Sequence, residues 1–248
     1  MRWERYVECL GADAARLRDV AERDLTARVP SCPDWDTAEL VRHTGLVYLH
    51  KVNAMRTGAG EGPWPPPGTE SEEPLALFDR AYKELIAEFD AREPSEKTPT
   101  WYDDDHTVGF WIRRMAQETV IHRVDAELAQ SESLAPIPED LAVDGIDEVL
   151  VAFLSFASVK WHSEFPGLEA CDGRTVAIRA DGSAWGARLT PEGVIVSAGV
   201  DSAAATISGR PDDVLLWLWR RADDGVITTS GDATLVAKLR ELLGVATQ

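Results

Sequence analysis

Five residues in one stretch of the chain, Trp111, Met115, Glu118, His122 and Asp125, follow one another at spacings of 4, 3, 4 and 3. That is the stripe a bundle helix buries, yet its second half is ionisable. A second stripe, Leu40, His43, Val47, His50 and Ala54, carries two histidines in the same way. Burying an ion uncompensated costs on the order of several kcal/mol, so each of these groups needs a counterpart. A divalent metal would supply one. Glu118 and His122 are four residues apart and project from one helix face about one turn from each other. A histidine from a facing helix would complete a His2Glu set, three protein ligands with one coordination position left open. His43 is the candidate for that place. His50 lies seven residues from His43, about 10.5 Å along a helix axis, too far to share the ion.

The same pattern admits a plainer arrangement, in which Glu118, His122 and Asp125 are half-exposed and bond Arg114 and Arg123 of their own helix. Spacing alone leaves both open. His50 suits a satisfied bundle histidine or a pocket residue, and His106 and His162 fall near element ends, where surface positions are expected. Cys32, between Ser31 and Pro33, has no sequence neighbour that would activate it and reads as a packing residue.

Stepping from these residues to the elements that must hold them, apolar positions Trp3, Val7, Leu10, Ala14, Leu17 and Val20 mark a first amphipathic helix. Asp36 with Glu39 three residues on opens a second, to about Arg56. The segment from Gly58 to Pro74, with Pro63, Pro65, Pro66 and Pro67, must be a surface loop. Further helices are expected around Phe78 to Phe89, over Val108 to Ala129, and from Asp140 to Trp161. Beyond Cys171 the pattern changes to short apolar runs at 175–179, 186–189, 194–196 and 205–207. Asp-Gly and Glu-Gly turn signals separate them, as in antiparallel hairpins. Helices over Pro211 to Arg221 and Ala233 to Leu243 close the chain. The expected fold class is α+β: an up-and-down helical bundle over residues 1–165, then a small α+β domain with an antiparallel sheet over 166–248.

Composition narrows the partners. Among 248 residues, 43 are acidic and 25 basic, a net charge of −18. With no Lys/Arg run, nucleic acid and anionic membrane surfaces are excluded as partners. An anionic substrate would need a local cation. Charges interrupt the first twenty residues, no stretch approaches 18 apolar residues, and the three cysteines are widely spaced. A soluble cytoplasmic protein is expected.

Several segments together resemble the mycothiol-dependent maleylpyruvate isomerase family, among the DinB-like metal-binding four-helix bundles. Val29-Pro30-Ser31-Cys32-Pro33-Asp34-Trp35, followed by Leu40-Val41-Arg42-His43, is similar to its V-P-x-C-P-x-W loop and L-v-x-H. Arg114 to Glu127 is similar to its R-x-x-H-E-x-x-x-H-R-x-D-A-E helix, with Gln117 where family members often carry His. Asp213 to Ala222 and Ser230-Gly231-Asp232 resemble the end of its second domain, with Arg220 where Gly usually precedes the arginine.

The resemblance implies metal ligands at His43, Glu118 and His122, a divalent ion, zinc foremost, and mycothiol as thiol cosubstrate. It assigns Arg221 to substrate binding, for which a guanidinium fork is chemically apt; a helix-end cation offsetting the dipole is the plainer role for Arg221. Asp125, one turn past His122, would serve as a supporting acceptor or orient the thiol. The implied activity is cis–trans isomerisation by a metal-bound thiolate adding to an activated double bond. The alternatives are a DinB-like S-transferase conjugating mycothiol to an electrophile, or a non-catalytic small-molecule binding protein. The expected partners are an anionic or electrophilic small molecule and mycothiol, on a monomer or weak homodimer.

Overall fold

A computed structural model describes residues 1–60 and 62–247; Glu61, within the expected Gly58–Pro74 loop, and the terminal Gln248 lie outside the described residues. Its contacts divide the chain into two compact units, residues 1–135 and 136–248. The first holds four helices: α1 (Trp3–Ala21), α2 (Thr37–Thr57), α3 (Pro74–Asp90) and α4 (Val108–Ala129). The spacing of apolar residues translates directly into packing. Tyr6, Leu10, Ala14, Leu17 and Val20 line the buried face of α1, which lies against α4. The Asp36–Glu39 pair forms a reciprocal capping box that starts α2, and Gly58 ends it at φ 64°. Thr107 caps α4 through the Phe110 N–H at 3.2 Å. With α1 on one side and α2 on another, α4 is buried nearly all the way round, so most of its charged residues have little solvent to turn to.

The fifth helix belongs to the second unit rather than to the bundle, so the structure divides the chain about thirty residues before the boundary expected at 165. It starts as α5 (Glu139–Glu148), widens into a π-helical stretch (Val149–Ser155) and ends as α6 (Phe156–Lys160). The reason is packing. α5 lies against α7 (Pro211–Leu218), and the π stretch against β3 (Gly193–Ala198) and α8 (Ala233–Ala246), all within the second unit.

The sheet comprises β1 (Thr175–Ala180), β2 (Ser183–Thr190), β3, β4 (Ala205–Gly209) and β5 (Thr228–Gly231), in the order β3-β2-β1-β4-β5. The hairpins β1–β2 and β2–β3 are antiparallel as expected; β5, which the apolar pattern does not mark, pairs antiparallel with β4, and β4 runs parallel to β1. The chain leaves β3 at the sheet edge and returns on the far side of β1, so it enters β4 in the direction of β1. Ser230-Gly231-Asp232 has a structural role here. Gly231 adopts φ 81°, a Cβ there would meet the Ala204 carbonyl oxygen at 2.2 Å, and Asp232 caps α8 through the amides of Thr234 and Leu235. Among the described residues no helix is long and apolar enough to cross a membrane.

Half of the charged motif in α4 serves the bundle itself. Fully buried Arg123 donates to Asp13 of α1 at 3.0 Å, to Glu127 at 2.7 Å and to the Ala135 carbonyl at 2.8 Å. Glu127, also buried, receives Arg16 of α1 at 2.8 Å. Removing one member of such a network strands the others in low dielectric, at about 3–5 kcal/mol. Arg123→Ala should therefore lose stability on that scale in urea unfolding; a loss below about 1 kcal/mol, the range of an exposed pair, would mean that the network is decorative.

Candidate metal centre

His43 on α2 and Glu118 and His122 on α4 converge in the first unit, with one ligand atom from each lying within 4.8 Å of the others. His122 Nε2 is 3.2 Å and His43 Nε2 3.6 Å from the same oxygen, Glu118 Oε1. Ligand atoms held tetrahedrally at zinc–nitrogen and zinc–oxygen bond lengths stand about 3.3 Å apart, so the donor set has both the chemistry and the spacing for a divalent ion. His122 is completed from behind. Its Nδ1 is 3.0 Å from Asp125 Oδ2, and Asp125, wholly buried, accepts a hydrogen bond from Ser31 on its other oxygen. That is the carboxylate–histidine arrangement that fixes a ring's tautomer and orientation behind a metal. Asp125 thus reaches His122 and Ser31 rather than open space. Of the alternative in which the acids pair with arginines of their own helix, one half is seen: Glu118 Oε2 accepts from Arg114, while Arg123 turns to Asp13 and Glu127.

The loop before α2 builds one wall. The Trp35 amide donates to the Cys32 carbonyl at 2.8 Å and the Val29 amide to the Trp35 carbonyl at 3.1 Å, so Val29–Trp35 closes on itself. This brings Ser31 to Asp125 and the Trp35 ring to within 4.6 Å of the His43 ring and 6.3 Å of His122. Trp64, from the proline-rich loop, stands edge-on to both His43 and His50 at 5.8 Å. His50 lies outside the ligand cluster, as its distance along α2 requires; its Nδ1 is 3.0 Å from Lys51 Nζ. His50 and Lys51, with Gly60, Pro99, Trp101 and Trp111, line a cavity of ≈ 50 Å³ that the two long loops close, with Lys51 Nζ 4.7 Å above the Trp111 ring. His106 and His162 are exposed, against Thr100 and the Pro191 carbonyl respectively.

Arg221 belongs to the second unit. Helix α7 stops at Leu218, three residues earlier than expected. Arg220 takes φ 60°, a left-handed conformation that costs a non-glycine residue about 1–2 kcal/mol. The backbone there has a shape that a glycine would adopt freely. Arg221 is half-buried, donates to the Trp219 carbonyl at 2.9 Å and sits 5.9 Å from the Trp219 ring. Sequence reasoning passed over Ser31, Trp35 and Trp64 as site residues, and treated Arg114 only as a surface partner. The loop motif could have flagged Ser31 and Trp35; nothing periodic marks Trp64.

Family models described as the mycothiol maleylpyruvate isomerase N-terminal domain and the corresponding C-terminal domain match residues 8–127 and 140–238. Comparison of the sequence with curated proteins gives no match. Among solved structures, the chain is similar to the crystal structure of a mycothiol-dependent maleylpyruvate isomerase, with TM-score 0.63 at 16% identity over 94% of this chain and 95% of that one. A histidine-to-alanine mutant of that enzyme matches with TM-score 0.63 at 15% identity and the same coverage.

Both ring nitrogens of His122 face carboxylates, so without a metal the ring is satisfied only as an imidazolium. Burial alone would lower its pKa, but Glu118 and Asp125 outweigh burial and raise it from 6.5 to about 9. Burial would likewise raise the Glu118 pKa, but His122 and Arg114 hold it well below the usual carboxylate range. A raised histidine pKa stabilises the fold fully below pH 6.5, and that contribution is lost as pH rises through about 9. In metal-free protein, the His122 ring should therefore titrate by NMR well above an ordinary histidine, and Asp125→Asn should bring its pKa down. An ordinary value in the unaltered protein would contradict the paired-carboxylate geometry.

Proposed function

The chain belongs to the mycothiol maleylpyruvate isomerase family, and on that premise we propose that it isomerises a cis-enoic acid of the maleylpyruvate type with mycothiol as thiol cosubstrate. The thiolate adds to the activated double bond, the resulting single bond rotates, and expulsion of the same thiolate restores the double bond in the trans form. The observation that carries this reading is the meeting of His43 Nε2, Glu118 Oε1 and His122 Nε2 around one point. Bound by these three atoms, a divalent cation, zinc foremost, would favour thiolate over thiol at its open position.

The chain's own groups account for the rest. Asp125 orients the His122 ring so that Nε2 faces inward. Trp35 and Trp64 flank His43 with apolar surface that keeps water from a reactive sulfur. Lys51, at the small cavity beside Trp111, offers a local cation for an acid. Arg221 is assigned the substrate carboxylate on its motif, through the fork geometry that binds such a group in two places. A cytoplasmic enzyme is the expectation that goes with this reading.

Three measurements test this. Purified protein should carry about one divalent ion per chain, and His43→Ala and His122→Ala should carry markedly less; equal metal in all three rejects the site. Incubated with mycothiol and maleylpyruvate, the protein should yield the trans product with no net thiol consumption. A stable thiol adduct without trans product would make the chain an S-transferase instead. Arg221→Ala should raise KM for the acid about tenfold, the scale of one lost charge-assisted hydrogen bond, with metal content unchanged.

A further inference from the structure

The two oxygens of Glu118 face different partners. Oε1 is the atom on which His43 and His122 converge, at 3.6 and 3.2 Å. Oε2 accepts a hydrogen bond from Arg114 Nη2, one turn earlier on α4. The Arg114 side chain is only 4% exposed and that of Glu118 17%, and a guanidinium does not give up its proton in a protein. Oε2 is therefore held by a permanent cation in a place where water competes weakly.

A carboxylate beside a divalent ion can bind through one oxygen or through both, and the second oxygen occupies a position that a small molecule would otherwise take. We propose that Arg114 restricts Glu118 to one-oxygen ligation and so keeps a coordination position open for the thiol sulfur. Arg114 is on this view a positioning residue that sets how much of the metal's surface is available to small molecules. The inference rests on the reading that His43, Glu118 and His122 hold a metal. It differs from an ordinary helix pair four residues apart, which adds slightly to stability and has no bearing on coordination number.

Cobalt(II) added to metal-free protein reports the coordination number through its visible absorption, which is several-fold stronger for four neighbours than for five or six. The unaltered protein should show the strong spectrum. Arg114→Met, which frees Oε2, should show the weak one and require about tenfold more 2-mercaptoethanol to develop the near-ultraviolet sulfur-to-cobalt band, a loss typical of residues behind metal ligands. Arg114→Lys, which still offers Oε2 a cationic donor, should stay close to the unaltered spectrum. Identical spectra and thiol titrations for the Met variant and the unaltered protein would overturn the inference while leaving the metal site standing. No cobalt uptake by the unaltered protein would overturn the metal reading and the inference with it. Should the Met variant not fold, zinc X-ray absorption on the unaltered protein decides. Four near neighbours are expected, and an additional Glu118 oxygen at bonding distance overturns the proposal.

Discussion

Placing Glu118 in a helix that is covered on nearly every side leaves a carboxylate whose two oxygens both require positive company. Much of the first unit is arranged to provide it. Arg114 comes from the preceding turn and His122 from the following turn, while His43 Nε2 stands 3.6 Å from Oε1 across the interface with α2. Each compensating group then makes its own demand. His122 needs an acceptor for its second nitrogen, which Asp125 supplies, and Asp125 needs a donor for its second oxygen, which Ser31 supplies from the loop before α2. The chain of demands ends at that loop, whose backbone is bonded to itself. A site assembled this way is rigid because no member can move without exposing an unpaired charge in a low-dielectric setting.

The opposite face of α4 shows the same economy used for a different purpose. Arg123 lies between Asp13 and Glu127 and ties α1 to α4, and the chain leaving the helix closes over it through Ala135. The consecutive residues His122 and Arg123 thus point to separate networks, one at the ligand cluster and one at the helix interface. A series of charges along a buried helix becomes tolerable once it is divided between two faces, each locally neutralised. The division also explains why α4 lacks a clear apolar stripe yet is the most buried helix of the unit.

The shared face of Glu118 and His122, and their convergence with His43, could be anticipated from the sequence because helix geometry is regular. Residues four apart share a face, and an ionisable group on an apolar stripe advertises itself against its neighbours. The cap of α2 was legible for the same local reason. What escaped depended on partners distant in sequence. The apolar run from Val149 to Ser155 reads as ordinary helix, and its π-helical widening arises within the packing of the second unit. Thr228–Gly231 has no apolar residue to mark it as a strand, since β5 is an exposed edge that only pairs with β4. The parallel course of β4 is set by which side of β1 the chain returns to, a choice absent from local pattern. Trp64 reaches the site from a proline-rich loop whose path no periodicity encodes, and the role of Arg114 depends on which oxygen of Glu118 it meets.

A chain of net charge −18 would seem a poor host for an anion, but the range of the forces decides otherwise. Exposed acids are screened within about 8–10 Å at physiological ionic strength, while charges held in contact in a partly buried site act through a much lower effective dielectric. Arg114 is buried and committed to Glu118, so it balances the ligand set and leaves little positive charge for a substrate. A divalent ion added to that set would bring two charges to one carboxylate and two neutral rings, leaving net positive charge beside the open position. The surface acidity and the charge balance of the interior are then separate properties of one sequence. The first is spread over solvated side chains; the second is confined to a few residues whose neighbours leave them no alternative partner.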